Sequence, residues 1–444
     1  MKNDCSIVVL AAGFGTRMQS STPKVLHKIC GKEMLFYVID ESIKVSDDVH
    51  IILFNEFEFL KECINKNYAN SNLHLHLQNH AKYPGTAGAL MKGVGESPLS
   101  LIDLKYENVL VLNGDMPLVE STKLEEFINS KSKIAIGILL LKNPSGYGRV
   151  VIENGFVKAI IEEKDANEEI KKINSLNAGI YKFSTNLLRK YLLNLDSNNN
   201  QSEFYLTDVI SFAFKDGEEI IPIFGSEEEF MGVNSKFELS RAEEFMLEKL
   251  RFNAMQKGVR FILPKTIYLD IRTEFIGECE IESGVVLKGK NKIINSKIKS
   301  HSVVEDSYIK SSQIGPLAHI RPKSKIIDSN IGNFTEVKAS SLNGVKAGHL
   351  SYIGDSEIES GTNIGAGVIT CNYDGKKKHK TIIGENVFIG SDVQLIAPLN
   401  IESNVIIAAG STVNKNAKDG DLVISRTVQN NKSGFFYKFF KKDV

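Results

Sequence analysis

The stretch TIIGENVFIGSDVQLIAPLNIESNVIIAAGSTV, residues 381–413, decides the fold of the second half of the chain. Aliphatic residues recur in it at every sixth position without a gap, at Ile383, Ile389, Leu395, Ile401, Ile407 and Val413. A hexad repeat is typical of a parallel β-helix, in which each inward-pointing residue stacks on its counterpart one coil away. The repeat therefore predicts a long column of buried aliphatic side chains.

The same step of six extends toward the amino terminus, with slips between the runs. It is kept by Ile281, Leu287 and Ile293, and again by Ile314, Ile320 and Ile326. A β-helix exposes long flat faces, and an open apolar patch is rarely left in water. We therefore expect this domain to associate with other copies of itself.

Upstream of about residue 230 the pattern is different. Short apolar runs such as SIVVLAA and NVLVL alternate with helix-like segments such as 32–45 and 121–130, which favours βα units around a mostly parallel sheet. Apolar residues at roughly helical intervals over 235–257 predict one long connecting helix. The expected domains are an α/β domain, a linker helix, the β-helix and a tail, at 1–230, 231–258, 259–426 and 427–444.

Composition excludes several classes of function. With 444 residues the chain exceeds what one core usually serves, and 54 basic residues balance 54 acidic ones, so no overall charge attracts nucleic acid or anionic lipid. The five cysteines form no CxxC pair, which argues against thiol or zinc chemistry and suits a reducing cytoplasm. No stretch approaches 18 uninterrupted apolar residues. We expect a soluble, cytoplasmic protein that acts on small molecules, without a nucleic-acid partner or an integral membrane segment; its tail FFYKFFKKDV (435–444) is read as docked or frayed rather than as a membrane contact.

The stretch LAAGFGTRM, residues 10–18, indicates a phosphate-binding turn. Gly13 and Gly15 allow backbone N–H groups to approach an anion, and Arg17 adds a permanent positive charge. The turn lacks the Lys-Ser/Thr ending of a Walker loop, and Met18 stands where a dinucleotide fingerprint has its third glycine. Taken alone, the motif leaves open a plain glycine turn with a surface arginine.

LAAGFGTRM followed by PKVLH (23–27) resembles the sugar-phosphate nucleotidylyltransferases. Similar motifs follow in the same order along the chain: GT at 85–86, NGD at 113–115, GYGRV at 146–150, EEKDA at 162–166, NAGIY at 177–181, EFYLTD at 203–208 and GVNSKFELSRAE at 232–243. Within that group the chain most closely resembles the bifunctional N-acetylglucosamine-1-phosphate uridylyltransferase / glucosamine-1-phosphate acetyltransferase family. The resemblance implies a Rossmann-like α/β nucleotidyltransferase domain, a left-handed parallel β-helix of hexapeptide repeats, and a homotrimer.

For the first domain the resemblance implies uridylyl transfer, in which a sugar-phosphate oxygen attacks the α-phosphorus of UTP and pyrophosphate leaves. Arg17 and Lys24 would act on the phosphates, and Asp115 with Asn234 would hold Mg²⁺, an ion that suits a lone carboxylate at the end of a strand. Nucleotide binding would fall to Leu10, Ala12, Gly13, Gly15, Lys24, Gln78, Gly85 and Thr86, and sugar-phosphate binding to Gly148, Glu162, Asn177 and Thr207. The alternative for Asp115 is a cap of the next element.

The chain departs from the family pattern in QNHAKYPGT, residues 78–86. About two extra residues separate Gln78 from Gly85, and Gly88 stands where the family usually has histidine, which bears on the role of Gln78. Just before it, LHLHLQ (73–78) would put His74 and His76 on one face of a strand. A half-exposed strand is the preferred interpretation there, and a metal site the weaker one.

In the repeat domain a histidine stands where an aliphatic column needs none. His349 lies in KAGHLSYIGD (346–355), close to NIGAG (363–367) and CNYDGKKKHK (371–380), and these stretches resemble the acetyltransferase half of the same family. The resemblance implies that His349 is the base for the amine of glucosamine 1-phosphate, a role that a pKa near neutrality suits. The sugar phosphate would contact Arg321, Lys338, Tyr352, Asn363, Asn372, Tyr373 and Lys378, and acetyl-CoA would contact Ala366, Ser391, Ala409 and Arg426.

Two roles in this group stay open at the level of sequence. Lys378 sits in the basic run KKKHK, which fits either a solvated loop or a contact with phosphate across a subunit boundary. Glu336 is a candidate to orient His349, which spacing alone does not establish.

The sequence thus predicts a bifunctional enzyme. It would acetylate glucosamine 1-phosphate with acetyl-CoA and then transfer UMP from UTP, giving UDP-N-acetylglucosamine and pyrophosphate for cell-wall and lipopolysaccharide precursors. The rival hypotheses are a single-activity nucleotidylyltransferase for another sugar, and a β-helix that serves only as a trimerisation scaffold. Both rivals leave His349, Asn372 and Tyr373 without a role.

Overall fold

The computed structural model describes residues 3–91, 102–141, 144 and 146–441. The chain divides into two compact units, Met1–Met246 and Leu247–Val444. The division lies inside a helix, Lys236–Gln256, where the sequence predicted one. The finer domain boundaries given above stay predictions.

A nine-stranded sheet forms the first unit, together with a small two-stranded one. In chain order the strands are β1 Ser6–Leu10, β2 Lys28–Ile29, β3 Lys32–Glu33, β4 Val49–Leu53, β5 Leu73–Leu77, β6 Asn108–Asn113, β7 Ile134–Leu140, β8 Arg149–Glu153, β9 Phe156–Ile161, β10 Ser175–Ser184 and β11 Ile220–Gly225. The main path of the large sheet runs β11-β7-β10-β6-β1-β4-β5, with β8 and β9 joined at β10. Strand β5 therefore lies at one end of this path.

Helices cover the sheet on both faces. They are α1 Met34–Val45, α2 Phe57–Asn67, α3 Ser121–Ile128, α4 Thr185–Leu192, α5 Asp208–Lys215 and α6 Glu227–Phe230, followed by α7 Lys236–Gln256. Short 3₁₀ turns lie at Thr16–Met18, Lys24–Leu26, Gly88–Leu90 and Ile170–Lys172, and another, Pro264–Thr266, belongs to the second unit. Two hydrophobic clusters form the core, one holding Ile7 and Leu110 and the other Val8 and Val111. Neighbouring residues of one strand thus point into different clusters, as in a sheet buried on both faces.

The pairing of the strands places the candidate site. Strand β1 is parallel to β4 and β6, and its last residue, Leu10, pairs with Asn113 at the end of β6. The carboxyl ends of parallel strands are where open α/β sheets bind ligands. Strand β10 runs antiparallel to β6 and β7, which the alternation of apolar runs did not predict.

Three parallel sheets form the second unit. The first contains Arg260–Phe261, Glu280–Ile281, Lys297–Ile298, Gln313–Ile314, Asn330–Asn333, Lys346–His349, Asn363–Ile364, Phe388–Ile389, Ile406–Ile407 and Leu422–Val423. The second contains Tyr268–Leu269, Val286–Lys288, Val303–Glu305, His319–Ile320, Glu336–Lys338, Tyr352–Gly354, Ile369–Cys371, Gln394–Ile396 and Thr412–Val413. The third contains Glu274–Ile276, Lys292–Ile294, Tyr308–Lys310, Lys325–Ile327, Ser341–Asn343, Ser356–Ile358, Thr381–Ile383 and Leu399–Ile401. Successive strands of the chain enter the three sheets in turn, which makes a parallel β-helix.

Buried aliphatic residues stack along each sheet in register. On the first sheet Ile298 pairs with Ile314, Ile314 with Ile331, and Ile389 with Ile407, and all are fully buried. The step from Ile364 to Ile389 is longer, because residues 371–380 leave the coil as a loop. A short helix, α8 Phe435–Phe440, lies in the exposed tail. Over the described residues, no helix combines the length and the apolar character that crossing a membrane requires.

Candidate functional site

A cavity of ≈ 330 Å³ opens at the carboxyl ends of β1 and β6 in the first unit. Its walls include most of the predicted nucleotide contacts, namely Leu10, Ala12, Gly13, Lys24, Gln78, Gly85 and Thr86, together with the predicted metal ligand Asp115. Arg17 is not among the lining residues; it lies exposed on the 3₁₀ turn Thr16–Met18. The structure therefore brings together motifs that are far apart in sequence, and leaves Arg17 outside the cavity wall.

Lys24 connects the two predicted magnesium ligands. Its ammonium donates to Asp115 Oδ2 and, at 2.8 Å, to Asn234 Oδ1. The N–H of Val233 donates to the carbonyl of Asp115 at 2.9 Å and ties the two segments together. Asp115 is buried, and its Oδ1 has no hydrogen-bond partner in the described structure. An unpaired buried carboxylate oxygen is costly, so this position favours a further cation.

These side chains fit a magnesium ion. Carboxylate and amide oxygens are ligands that Mg²⁺ accepts, and the ion usually keeps several waters and takes few protein ligands. The unpartnered Oδ1 of Asp115 and the acceptor Oδ1 of Asn234 supply such a pair.

Gly15 has a packing role besides any contact with phosphate. Its φ is +63°, and a Cβ there would lie 2.5 Å from Cβ of Lys24. Only glycine therefore allows the turn to pack against Lys24. At Gly13 a Cβ would meet nothing within 4 Å, so the backbone of that residue faces open space beside the cavity.

The loop that follows Gln78 is held by the side chain of that residue. The buried amide of Gln78 donates to the carbonyls of Tyr83 and Gly85, both at 3.0 Å. Its donors therefore hold the loop, and the base-binding role of Gln78 stays a prediction. Gly88 has no room for a side chain, since even a Cβ would lie 2.1 Å from the carbonyl oxygen of Tyr83.

An aromatic group at the cavity was missed by the sequence analysis. Phe14 and His80 line the cavity, and His80 stacks on Phe54 with ring centroids 4.7 Å apart. Phe14 meets both rings edge-on and is half exposed. The phenylalanine inside the glycine turn was the one residue in the motif that could have indicated this aromatic group, but the rings it contacts come from two other segments.

The four predicted sugar contacts lie together. Thr207 Oγ1 donates to Glu162 Oε1 at 3.3 Å, and the N–H of Asn177 donates to the carbonyl of Gly148 at 2.9 Å. A Cβ on Gly148 would lie 3.4 Å from Glu162 Oε2, so glycine keeps the space beside that carboxylate open. Burial raises the pKa of Glu162, although the Thr207 hydroxyl opposes the shift.

The LHLHLQ stretch forms the end strand β5 of the main sheet path, and its residues through His76 are half buried. Strand β4 places His50 directly opposite His74. Burial, with repulsion from His50 and His74, lowers the pKa of His76 to about 4.

In the second unit the predicted sugar-phosphate contacts form a basic group. Arg321 donates to Glu336 Oε1 at 2.8 Å, so Glu336 is paired with Arg321. Lys338 lies beside Lys378 and lowers the pKa of that ammonium. Two cations held side by side favour an anion between them.

The loop 371–380 is ordered around one carboxylate. Asp374 Oδ1 accepts from the N–H groups of Lys376 and Lys377 at 2.7 and 2.6 Å, and Oδ2 contacts His379 Nε2 at 2.7 Å. The loop also forms a bridge between Tyr373 and Lys378. The basic run KKKHK therefore forms a hairpin that is held by hydrogen bonds of its own residues and of Asp374.

The remaining predicted residues occupy the same stretch of coils. The amide of Asn372 donates to Asp355 and approaches the Tyr352 hydroxyl at 3.5 Å. Asn363 lies on the strand Asn363–Ile364, and the carbonyl of Ala366 accepts from the N–H of Asp392 at 2.8 Å.

Two further contacts join the predicted acetyl-CoA residues. Arg426 Nη1 donates to the carbonyl of Ala409 at 3.0 Å. The N–H of Gly410 donates to the carbonyl of Ser391 at 2.9 Å, so these positions occupy adjacent coils.

His349 ends the strand Lys346–His349 and is exposed. Within the described residues its imidazole has no side-chain hydrogen bond, and Glu336 is engaged by Arg321. The imidazole is thus accessible to a substrate. The orienting role of Glu336 is a prediction that the contacts do not support.

Comparison with known protein families gives one match in each unit of the chain. Residues 7–176 match the family described as a MobA-like NTP transferase domain, and residues 380–415 match the bacterial transferase hexapeptide (six repeats). The fold class predicted from sequence, a Rossmann-like α/β domain and a left-handed β-helix, is confirmed by these matches and by the three parallel sheets.

The full-length relatives are more specific. "Bifunctional protein GlmU" of Helicobacter hepaticus is 57% identical, and the match covers 98% of this chain and 97% of that protein. The proteins of the same name from Wolinella succinogenes and from Nitratiruptor sp. are each 53% identical, with 98% of both chains covered in the first case and 99% in the second. At this identity and coverage the chain belongs to the family of bifunctional GlmU proteins.

Proposed function

We propose that the chain acetylates glucosamine 1-phosphate in its β-helix unit and uridylylates the acetylated product in its α/β unit, releasing UDP-N-acetylglucosamine and pyrophosphate. It is an enzyme with nucleotidyl-transfer and acyl-transfer modules, and we propose UTP and acetyl-CoA as its donor substrates and Mg²⁺ as its metal ion. The main support is that the chain matches bifunctional relatives over nearly its whole length and has a polar cluster in each of its two units.

For uridylyl transfer the support comes from Lys24, Asp115 and Asn234. In this reaction the protein mainly aligns the attacking oxygen with the α-phosphorus and neutralises charge on the phosphates. Lys24 supplies a fixed positive charge at the cavity, and Asp115 and Asn234 would hold the magnesium ion, which neutralises phosphate charge when bound. Gly148, Glu162, Asn177 and Thr207 form the polar surface proposed for the sugar phosphate.

For acetyl transfer the support comes from the accessible His349 and the basic group around Lys338 and Lys378. The amine attacks the thioester carbonyl, the C–S bond breaks, and the amine gives up a proton. His349 is proposed to take that proton at its imidazole, while Arg321 and the two lysines hold the phosphate. A β-helix that served only as a scaffold would not need this group.

A homotrimer is part of the proposal. On the first sheet Phe388, Ile406 and Leu422 are paired in register and point outward, each more than half exposed. A stacked apolar column of this kind favours burial against another copy. A cytoplasmic location is also proposed, because all five cysteines are free thiols.

The test is a reconstitution with the purified full-length chain. Glucosamine 1-phosphate with acetyl-CoA should release thiol, and pyrophosphate should appear only when UTP and magnesium are added as well. Supplying N-acetylglucosamine 1-phosphate directly should bypass the need for acetyl-CoA. Pyrophosphate release without thiol release would favour the single-activity hypothesis.

A further inference from the structure

A group of metal-ligating side chains lies near the amino end of β4, at the opposite end of that strand from the cavity. Asp48 precedes the strand, His50 is its second residue, and His74 is paired with His50 on β5. One ligand atom from each residue lies within 4.8 Å of the other two. Leu53, at the far end of β4, adjoins Gln78 of the cavity and lies three residue steps, about 10 Å, along the strand from His50.

The Asp48 carboxylate is oriented by contacts on one side. Its Oδ2 accepts from Ser6 Oγ at 2.5 Å and from the N–H of Lys105 at 3.0 Å. Its Oδ1 faces the two histidines, 3.1 Å from His50 Nε2 and 3.5 Å from His74 Nε2. Tetrahedral zinc with bonds of 2.0–2.1 Å separates its ligand atoms by about 3.4 Å. The two distances to Asp48 Oδ1 are close to that value, and the ligand atoms of the two histidines lie within 4.8 Å of each other.

His50 directs a buried nitrogen toward this group. The residue is 2% exposed, and its buried Nε2 has no hydrogen-bond partner, although Asp48 Oδ1 lies at contact distance. Its other nitrogen, Nδ1, is 2.9 Å from Nε2 of His76. A hydrogen bond there holds the ring and selects the tautomer, as the outer partners of metal-bound histidines do.

We propose that Asp48, His50 and His74 bind one divalent transition metal of the zinc class. Two imidazoles and one carboxylate favour such a metal over Mg²⁺ or Ca²⁺, which prefer oxygen ligands. His76 is a positioning residue that acts through His50. His74 is 42% exposed at its side chain, which leaves a solvent route and a place for a water ligand. The metal would clamp the end strand β5 to β4 and is independent of the two proposed reactions.

The test uses the full-length, tag-free protein, stripped with a chelator and kept in excess Mg²⁺. Titration calorimetry with ZnCl₂ at micromolar protein should give one site per chain. His74→Gln should weaken that site at least tenfold, and His76→Asn should weaken it about 10- to 100-fold through loss of the outer contact. His301→Gln, an exposed histidine of the other unit, is the matched control and should bind as the wild type does.

Two further readouts do not depend on activity. Zn²⁺ should raise the melting temperature of the wild type and of His301→Gln but not of His74→Gln. Co²⁺ bound to the wild type should give a visible spectrum of nitrogen and oxygen ligation without a thiolate band. This spectrum tests the proposed ligands even if His74→Gln fails to fold. Absence of Zn²⁺ binding by the wild type, or equal binding by a folded His74→Gln, would overturn the proposal.

Discussion

Asp115 is the residue on which the electrostatics of the first site depend. The carboxylate is buried, its Oδ2 is engaged by Lys24, and its Oδ1 has no partner among the described residues. Asparagine has nearly the same shape, so exchanging it there removes the charge and leaves the packing almost unchanged.

We predict that Asp115→Asn lowers the rate of uridylyl transfer by about two orders of magnitude or more, the scale of losing one well-placed electrostatic contact. Pyrophosphate release across a range of magnesium concentrations measures the effect. Acetyl-dependent thiol release by the same protein is the control and should be unchanged. Wild-type pyrophosphate release at every magnesium concentration would remove Asp115 from the metal site.

Glu162 gives a prediction on the pH dependence of stability. Burial raises the pKa of its carboxyl in the folded chain, so the folded state holds the proton more tightly than the unfolded state does. The stabilisation from this group is fully present below the ordinary carboxyl pKa and is lost as pH rises through the raised pKa. Glu162→Gln should remove this loss from urea-unfolding free energies measured between about pH 4 and 7. Glu125→Gln, an exposed carboxylate on α3, is the control, and an identical slope in wild type and Glu162→Gln would contradict the prediction.

Single residues differ in how far the sequence could predict them. Lys24, Asp115 and Asn234 were predicted as phosphate and metal contacts from motifs, but the bridge that Lys24 makes between the other two depends on three distant segments. The sequence motifs did not predict Phe14 and His80 as cavity residues for the same reason, since these two rings come from different segments of the chain. A motif shows which chemical groups lie close together in the sequence, whereas the tertiary contacts of a side chain depend on the fold.

Among the elements, the turn 85–91 is packed closely against the loop that precedes it. The 3₁₀ turn Gly88–Leu90 packs so closely on Tyr83 that a Cβ at position 88 has no space. Gly85 and Thr86 of the same segment line the cavity. The packing of this turn and the cavity wall are therefore coupled.

We predict that Gly88→Ala destabilises the protein by about 1–3 kcal/mol through overpacking and raises KM for UTP. Gly13→Ala is a matched control for stability, because a Cβ there meets nothing within 4 Å. Chemical unfolding and initial rates at varied UTP measure the two effects. Equal stability of Gly88→Ala and wild type would show that the loop relaxes freely.

Elements with a strong period were predictable, and those fixed by pairing partners were not. The hexads between Ile383 and Val413 predicted the β-helix because each inward position repeats a local pattern. The antiparallel direction of β10 is set by its partners β6 and β7, which a run of apolar residues does not encode. For the same reason LHLHLQ showed a strand but not the Asp48 and His50 side chains beside it.

Over the described residues, both compact units carry polar clusters, and the β-helix also carries an exposed apolar column. Phe388, Ile406 and Leu422 form that column on the first sheet. Exposing these apolar side chains to water is unfavourable in free energy, which favours association of chains through this surface.

We predict that Ile406→Lys shifts the protein from the proposed trimer toward smaller species, because a charge would be buried in the interface. Light scattering after size-exclusion chromatography measures the mass. Thr412→Lys, exposed on the second sheet, is the control and should keep the wild-type mass. An unchanged mass for Ile406→Lys would place the interface elsewhere.

We propose that the β-helix is a catalyst with His349 as its base, and the decisive measurement is thiol release from acetyl-CoA by a folded, oligomeric His349→Ala protein. Near neutral pH the amine of the sugar is largely protonated, and the attacking amine must still lose a proton, so removing the imidazole should lower the rate by about 10²- to 10⁴-fold. Pyrophosphate release from N-acetylglucosamine 1-phosphate and UTP should stay at the wild-type rate. Thiol release within a few fold of wild type across pH would contradict the claim and favour the β-helix as a scaffold.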